Sequence, residues 1–128
     1  MREILFRGKR KDNSEWIEGS LFQWGNDAYI LRDLAMNVKY EVIPETVGQY
    51  IGMGDKNGIK IFEGDILNYN PSFSVIETYV IEFDSASFCH REIDCKFPAA
   101  FTDCESGLGS GNYLEIIGNI HDNPELMR

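Results

Sequence analysis

Seven side chains could in principle do chemistry: Cys89, Cys95 and Cys104, His90 and His121, and the carboxylates Glu63 and Asp65. The thiols follow a Cys-x5-Cys-x8-Cys spacing with His90 beside the first. Structural zinc sites usually orient two sulfurs at once through a Cys-x(2–4)-Cys knuckle, which this spacing does not contain, so no metal is expected. Their number is odd and Met1 opens into charged, β-prone sequence with no signal-peptide core, which points to reduced thiols in an intracellular protein. His90 and His121 are the two groups that titrate near neutrality without perturbation, but neighbours on a strand point to opposite faces, so Cys89 and His90 cannot form a dyad. A Cys104–His121 pair would need the fold to bring distant segments together. No Gly-x-Ser-x-Gly elbow, phosphate-binding loop or His-Glu-x-x-His is present. Glu63 and Asp65 put two acids into one turn, an incomplete shell for a hard cation. The expectation is therefore no catalytic residue, no cofactor and no metal, with a small hydrolase the weaker alternative.

The elements that would position these groups are short. Turn residues recur about every 8–12 positions, the rhythm of an all-β protein. Strands are expected at residues 2–7, 15–22, 28–32 and 38–43, the first two as a hairpin, with Pro44 as a stop. Asp55-Lys56-Asn57-Gly58 then places Asn-Gly, which tolerates left-handed backbone, between apolar stretches at 50–53 and 59–62. Glu63-Gly64-Asp65 makes a second turn, and strands follow at 66–69, 78–83 and 113–121, the last interrupted at Gly118. Residues 89–112, with Pro98, Gly107, Gly109 and Gly111, read as a long loop. Asn123 is placed to cap a short helical turn starting at Pro124.

The net charge of −9 is unevenly spread. Residues 1–11 carry five cations against one acid, and the remaining 117 carry seven against twenty. Only the run Lys9-Arg10-Lys11 offers clustered cations, and as a solvated turn it makes nucleic-acid binding an unfavoured reading. No apolar run approaches a spanning helix, so no membrane partner is expected.

With these segments in view, the sequence resembles the YopX family of phage and prophage proteins. Phe6-Arg7-Gly8-Lys9 with Trp16-Ile17-Glu18-Gly19 is similar to its opening, and Pro44-Glu45-Thr46-Val47-Gly48-Gln49-Tyr50 with Gly52 to its central block. Asp55-Lys56-Asn57-Gly58 and Ile61-Phe62-Glu63-Gly64-Asp65-Ile66 resemble its most distinctive stretch, and Gly118-Asn119-Ile120-His121-Asp122-Asn123-Pro124-Glu125-Leu126 its end. Residues 89–112 fall outside these blocks. The resemblance implies a compact, mainly β protein with an SH3-like barrel, encoded by temperate phages of bacteria, and assigns no reaction; the spacing of strands and turns divides it into a β-meander over residues 1–48 and that barrel over 49–128.

Each motif residue has a structural explanation. Trp16, Gly19, Gly48, Gln49, Gly52, Asp55, Gly58, Glu63, Gly64, Asp65, Gly118, Asn119, Asn123 and Pro124 fit turns, bulges, buried backbone partners and caps. Burial is expected of Tyr50, Ile61, Ile66, Val80, Ile81, Phe83 and Ile116. The favoured function is a non-catalytic phage accessory protein that binds protein partners or assembles with copies of itself, with Trp24, Phe73 and Phe97 as contact anchors. The alternative is an acidic nucleic-acid mimic that occupies a host DNA-binding protein. For protein made in a reducing cytosol, thiol titration in denaturant should count three free cysteines, and elemental analysis should find no stoichiometric zinc.

Overall fold

The computed structural model describes residues 3–33, 38–70, 77–84, 87–92, 99–100 and 113–127. These are strands and turns with two short 3-10 segments, Pro44–Thr46 and Pro124–Met127, so the protein is all-β. No helix among them is long and apolar enough to cross a membrane. The chain divides into two compact units, Met1–Gly52 and Met53–Arg128.

The first unit is an antiparallel meander of β1 (Phe6–Lys9), β2 (Trp16–Trp24), β3 (Asp27–Asp33) and β4 (Val38–Val42), with the start of β5 (Gly48–Gly54) on the free side of β1. Gly8 faces Ile17 across β1 and β2, Phe22 faces Tyr29 across β2 and β3, and Leu31 faces Lys39 across β3 and β4. Alternation along the strands sends Ile17, Ala28, Ile30 and Val42 to one side, where Phe6, Leu21, Tyr40 and Val47 complete a core. The sheet curls around that core until its outer strands meet. Arg10 bridges Val42, the Lys11 amide donates to the Glu41 carbonyl at 3.1 Å, and the Ile43 amide donates to the Lys9 carbonyl at 2.8 Å.

Pro44 ends β4 and opens the first 3-10 turn, whose Thr46 hydroxyl locks the closure. It donates to the Ile43 carbonyl at 2.6 Å and accepts from the Lys9 amide at 2.9 Å. Close backbone approach makes the curl possible. A Cβ on Gly19 would lie 2.3 Å from the Leu31 carbonyl oxygen, and one on Gly8 would lie 3.0 Å from Val42.

The second unit begins with the last residues of β5, turns at residues 55–58 into β6 (Lys60–Phe62), and continues through β7 (Asp65–Tyr69), β8 (Glu77–Asp84), β9 (Ser87–Glu92), β10 (Ala99–Ala100) and β11 (Leu114–Asn119). Its antiparallel sheet has the order β10-β9-β8-β7-β11. Ile66 and Val80 are buried on one face, and Leu67, Ile81, His90 and Leu114 on the other. Burial on both faces explains why these strands read as continuous apolar runs rather than clean alternations.

Three expectations need correction. The SH3-like barrel does not close: among the described residues β10 and β11 are the ends of an open sheet and do not pair with each other. Phe83 is 55% exposed, because it sits at the end of β8 and packs edge-on against Phe88, 5.3 Å between centroids, rather than into the core. The expected loop at 89–112 begins later, since residues 89–92 stay in register with β8 and residues 99–100 pair back onto β9. The rest of that segment lies outside the described residues.

Gly19→Ala should destabilise by about 3 kcal/mol in urea unfolding, since backbone on two strands must move. Gly25→Ala, at a turn with φ of 61° and open space around it, should cost only about 1 kcal/mol.

Candidate interaction surface

Strand β2 alternates so that Ile17 and Leu21 enter the core while Trp16, Glu18, Ser20, Phe22 and Trp24 face outward. Register brings Arg7 and Lys9 of β1, Tyr29 and Leu31 of β3, and Lys39 and Glu41 of β4 to the same outer face. The rings form a connected group. Phe22 stacks on Trp24 with centroids 6.4 Å apart and planes within 16°, and it lies 6.0 Å from Tyr29. Trp24 is 72% exposed and Phe22 41%.

Cations sit over these rings. The Lys39 ammonium is 5.0 Å from the Tyr29 centroid and 5.9 Å from that of Phe22, while Arg7 and Lys9 lie 4.6 and 5.6 Å from Trp16. At the β4 edge, Arg10 lies 4.5 Å over the Tyr40 ring. A cleft of about 240 Å³ opens there between Arg10, Lys11, Asp12, Lys39, Tyr40 and Glu41. Its acids are engaged, Asp12 with Arg10 at 2.6 Å and Glu41 with Lys11 at 2.9 Å. The hydrogen bond and charge of Glu41 hold the Lys11 ammonium above its ordinary pKa, so it is protonated at any physiological pH.

The polar motif residues of the second unit serve the backbone. Asp55 accepts the amides of Asn57 at 2.9 Å and Ile59 at 3.0 Å on Oδ1, and that of Ile116 at 3.1 Å on Oδ2. The Lys56 amide donates to the Leu114 carbonyl at 2.9 Å, so the turn that ends at Gly58 ties itself to β11. Asp65 is 1% exposed, and its Oδ2 accepts the Phe62 amide at 2.8 Å, closing the turn through Glu63 and Gly64. Asn119 Oδ1 accepts the amides of His121 and Asp122. The Asn123 side chain accepts the Asn119 amide at 3.2 Å, turning back toward β11 instead of capping the helical turn that starts at Pro124. A Cβ on Gly118, at the bulge in β11, would meet that side chain at 2.5 Å.

The remaining candidates are dispersed. Gly48 and Gln49 face Arg7 and Phe6 across β1 and β5, and Gly52 lies within β5 with φ of 97°. His90 is buried with its ring edge-on to Tyr79 at 4.9 Å, facing Ile81, while Cys89 faces Glu82 on the opposite side of the sheet. His121 lies over Gly64. Cys95, Cys104, Phe73 and Phe97 lie outside the described residues. Of the three expected anchors, Trp24 is therefore the one that can be placed. Phe22, Tyr29 and Lys39 complete its surface and escape a linear reading, although the alternation from Trp16 to Trp24 carries the signal.

The YopX protein family matches residues 5–128, nearly the whole chain. This chain belongs to the YopX family. No curated protein matches it. Among solved structures it is similar to protein EF1440 from Enterococcus faecalis, at 24% identity over 100% of both chains with a TM-score of 0.59, a likeness that shows the fold alone. In this YopX-family protein the Asp55 turn is thus a structural clamp. Asp55→Ala should lower unfolding free energy by about 3 kcal/mol, because buried amides lose a charged acceptor. Lys56→Ala, which removes an exposed 3.5 Å pair with Glu115, should stay within about 1 kcal/mol by the same urea measurement.

Proposed function

We propose that this YopX-family protein is a non-catalytic phage accessory protein of the bacterial cytoplasm, a binding module whose working surface is the outer face of the N-terminal meander. The observation that carries the reading is Trp24, 72% exposed and stacked on Phe22 beside Tyr29 and Lys39. Large rings exposed together on a folded sheet have little structural use, and they bury much area at low rotamer cost when a partner arrives. The groups that acid/base chemistry would recruit are used otherwise: Asp55 and Asp65 hold backbone amides, and His90 is packed inside the second unit. A second reading is assembly with further copies, favoured by Phe83, which is exposed beside Phe88.

Trp24→Ala should leave circular dichroism and the unfolding midpoint unchanged while strongly reducing what the immobilised protein retains from a lysate of phage-carrying bacteria. Equal retention by both proteins would reject the outer face as the working surface. Light scattering at high micromolar concentration tests assembly: a mass above one chain that Phe83→Ala lowers supports it, and a strict monomer rejects it.

A further inference from the structure

We infer that the outer face of the N-terminal meander takes single-stranded nucleic acid, with bases stacking on Trp24 and Phe22 and phosphates meeting Lys39 and the cations of the adjoining cleft. This rests on the reading of that face as a binding surface and names its ligand class. The argument starts from how rings and charges are interleaved. Trp24 and Phe22, with centroids 6.4 Å apart and planes within 16°, offer partly open platforms for stacked bases, while Tyr29, 6.0 Å from Phe22 and tilted by 43°, extends the aromatic patch toward Lys39. Lys39 stands over two of the three rings, and the cleft at the same edge sets Arg10, Lys11 and Lys39 against Asp12 and Glu41, so a backbone passing from rings to cleft meets one net positive charge, carried by Lys39.

The acids on this side pair with Arg10 and Lys11 and leave Lys39 as the cation outside those ion pairs. Glu41 is held by Lys11 at 2.9 Å, Asp12 by Arg10 at 2.6 Å, Glu18 lies across from Arg7 in register, and Asp27 lies across from Trp24 at the turn. The chain's net charge of −9 sets the long-range field, but the run at residues 9–11 and Lys39 are brought to one edge by the curl of the sheet, which no count along the chain reveals. A protein partner would have to bury Lys39 together with the rings, whereas a phosphate supplies its counter-charge directly. A duplex hides its base faces, so the platforms select single strands.

The test uses the full chain and a short oligothymidylate of about a dozen nucleotides. Both tryptophans, Trp16 and Trp24, lie on this face, so their emission reports binding. Saturable quenching is expected, weakening by about tenfold or more from about 50 to 200 mM salt if some three phosphates are contacted. Trp24→Ala should weaken binding about tenfold, monitored by anisotropy of a labelled strand, and Lys39→Glu should weaken it and flatten the salt dependence. A duplex of the same length should bind less tightly. The inference is overturned if no binding appears up to about 100 µM strand, a concentration far weaker than single-strand platforms require. It is also overturned if duplex and single strand bind alike, or if Trp24→Ala binds like the parent. Failure here with lysate retention still lost in Trp24→Ala leaves the face a binding surface for another partner. Failure of both removes the binding module as well.

Discussion

The close approach of β2 and β3 at Gly19 governs the N-terminal unit. With 2.3 Å between a hypothetical Cβ and the Leu31 carbonyl oxygen, any side chain there would hold the strands apart and flatten the sheet. The curl lets residues 10–11 reach residues 41–42, and Thr46 then seals the junction from both sides. Closure makes one face of the meander a core and leaves the other to water. The ring and cation arrangement on the outer face is a product of that geometry, since residues 7, 16, 22, 29 and 39 share it only when the register is held.

Much of the architecture was legible because turn chemistry is local. Gly25-Asn26, the Asn-Gly pair at 57–58, Pro44 and Pro124 mark boundaries through backbone restrictions that depend on a few neighbouring residues, and the observed elements start or stop beside each. Closure was not legible, because it depends on pairings between segments about thirty residues apart. The expected barrel was placed in the second unit, whose sheet is open, while the curling sheet is the N-terminal meander. Phe83 shows the same limit: an apolar position at a strand's end reads like one at its centre until the neighbouring strands are known.

The candidate surface was legible in one residue. Trp24 stands out as an aromatic close to a turn, but Phe22 and Tyr29 look like ordinary core residues, and Lys39 is a lone charge in a linear scan. Only the pairing of Phe22 with Tyr29 and of Leu31 with Lys39 puts them beside it. Asp55 illustrates the opposite case. Its Asn-Gly turn declares itself locally, yet the amide of Ile116, the partner that gives the carboxylate its long reach, cannot be inferred from the turn.

That reach has a consequence for how the chain acquires its structure during synthesis. The meander's junction at Thr46 joins residues 37 apart, so its contacts can form once the first fifty or so residues are free of the ribosome. The clamp at Asp55 joins residues 61 apart, and its third amide arrives only when almost the whole chain has been made. Until then the turn has its local bonds but β7 lacks its neighbour on one side, and the incomplete sheet presents an open edge to other nascent chains. The N-terminal unit can thus complete its contacts before the C-terminal unit does, and vulnerability to misassembly falls on the later of the two.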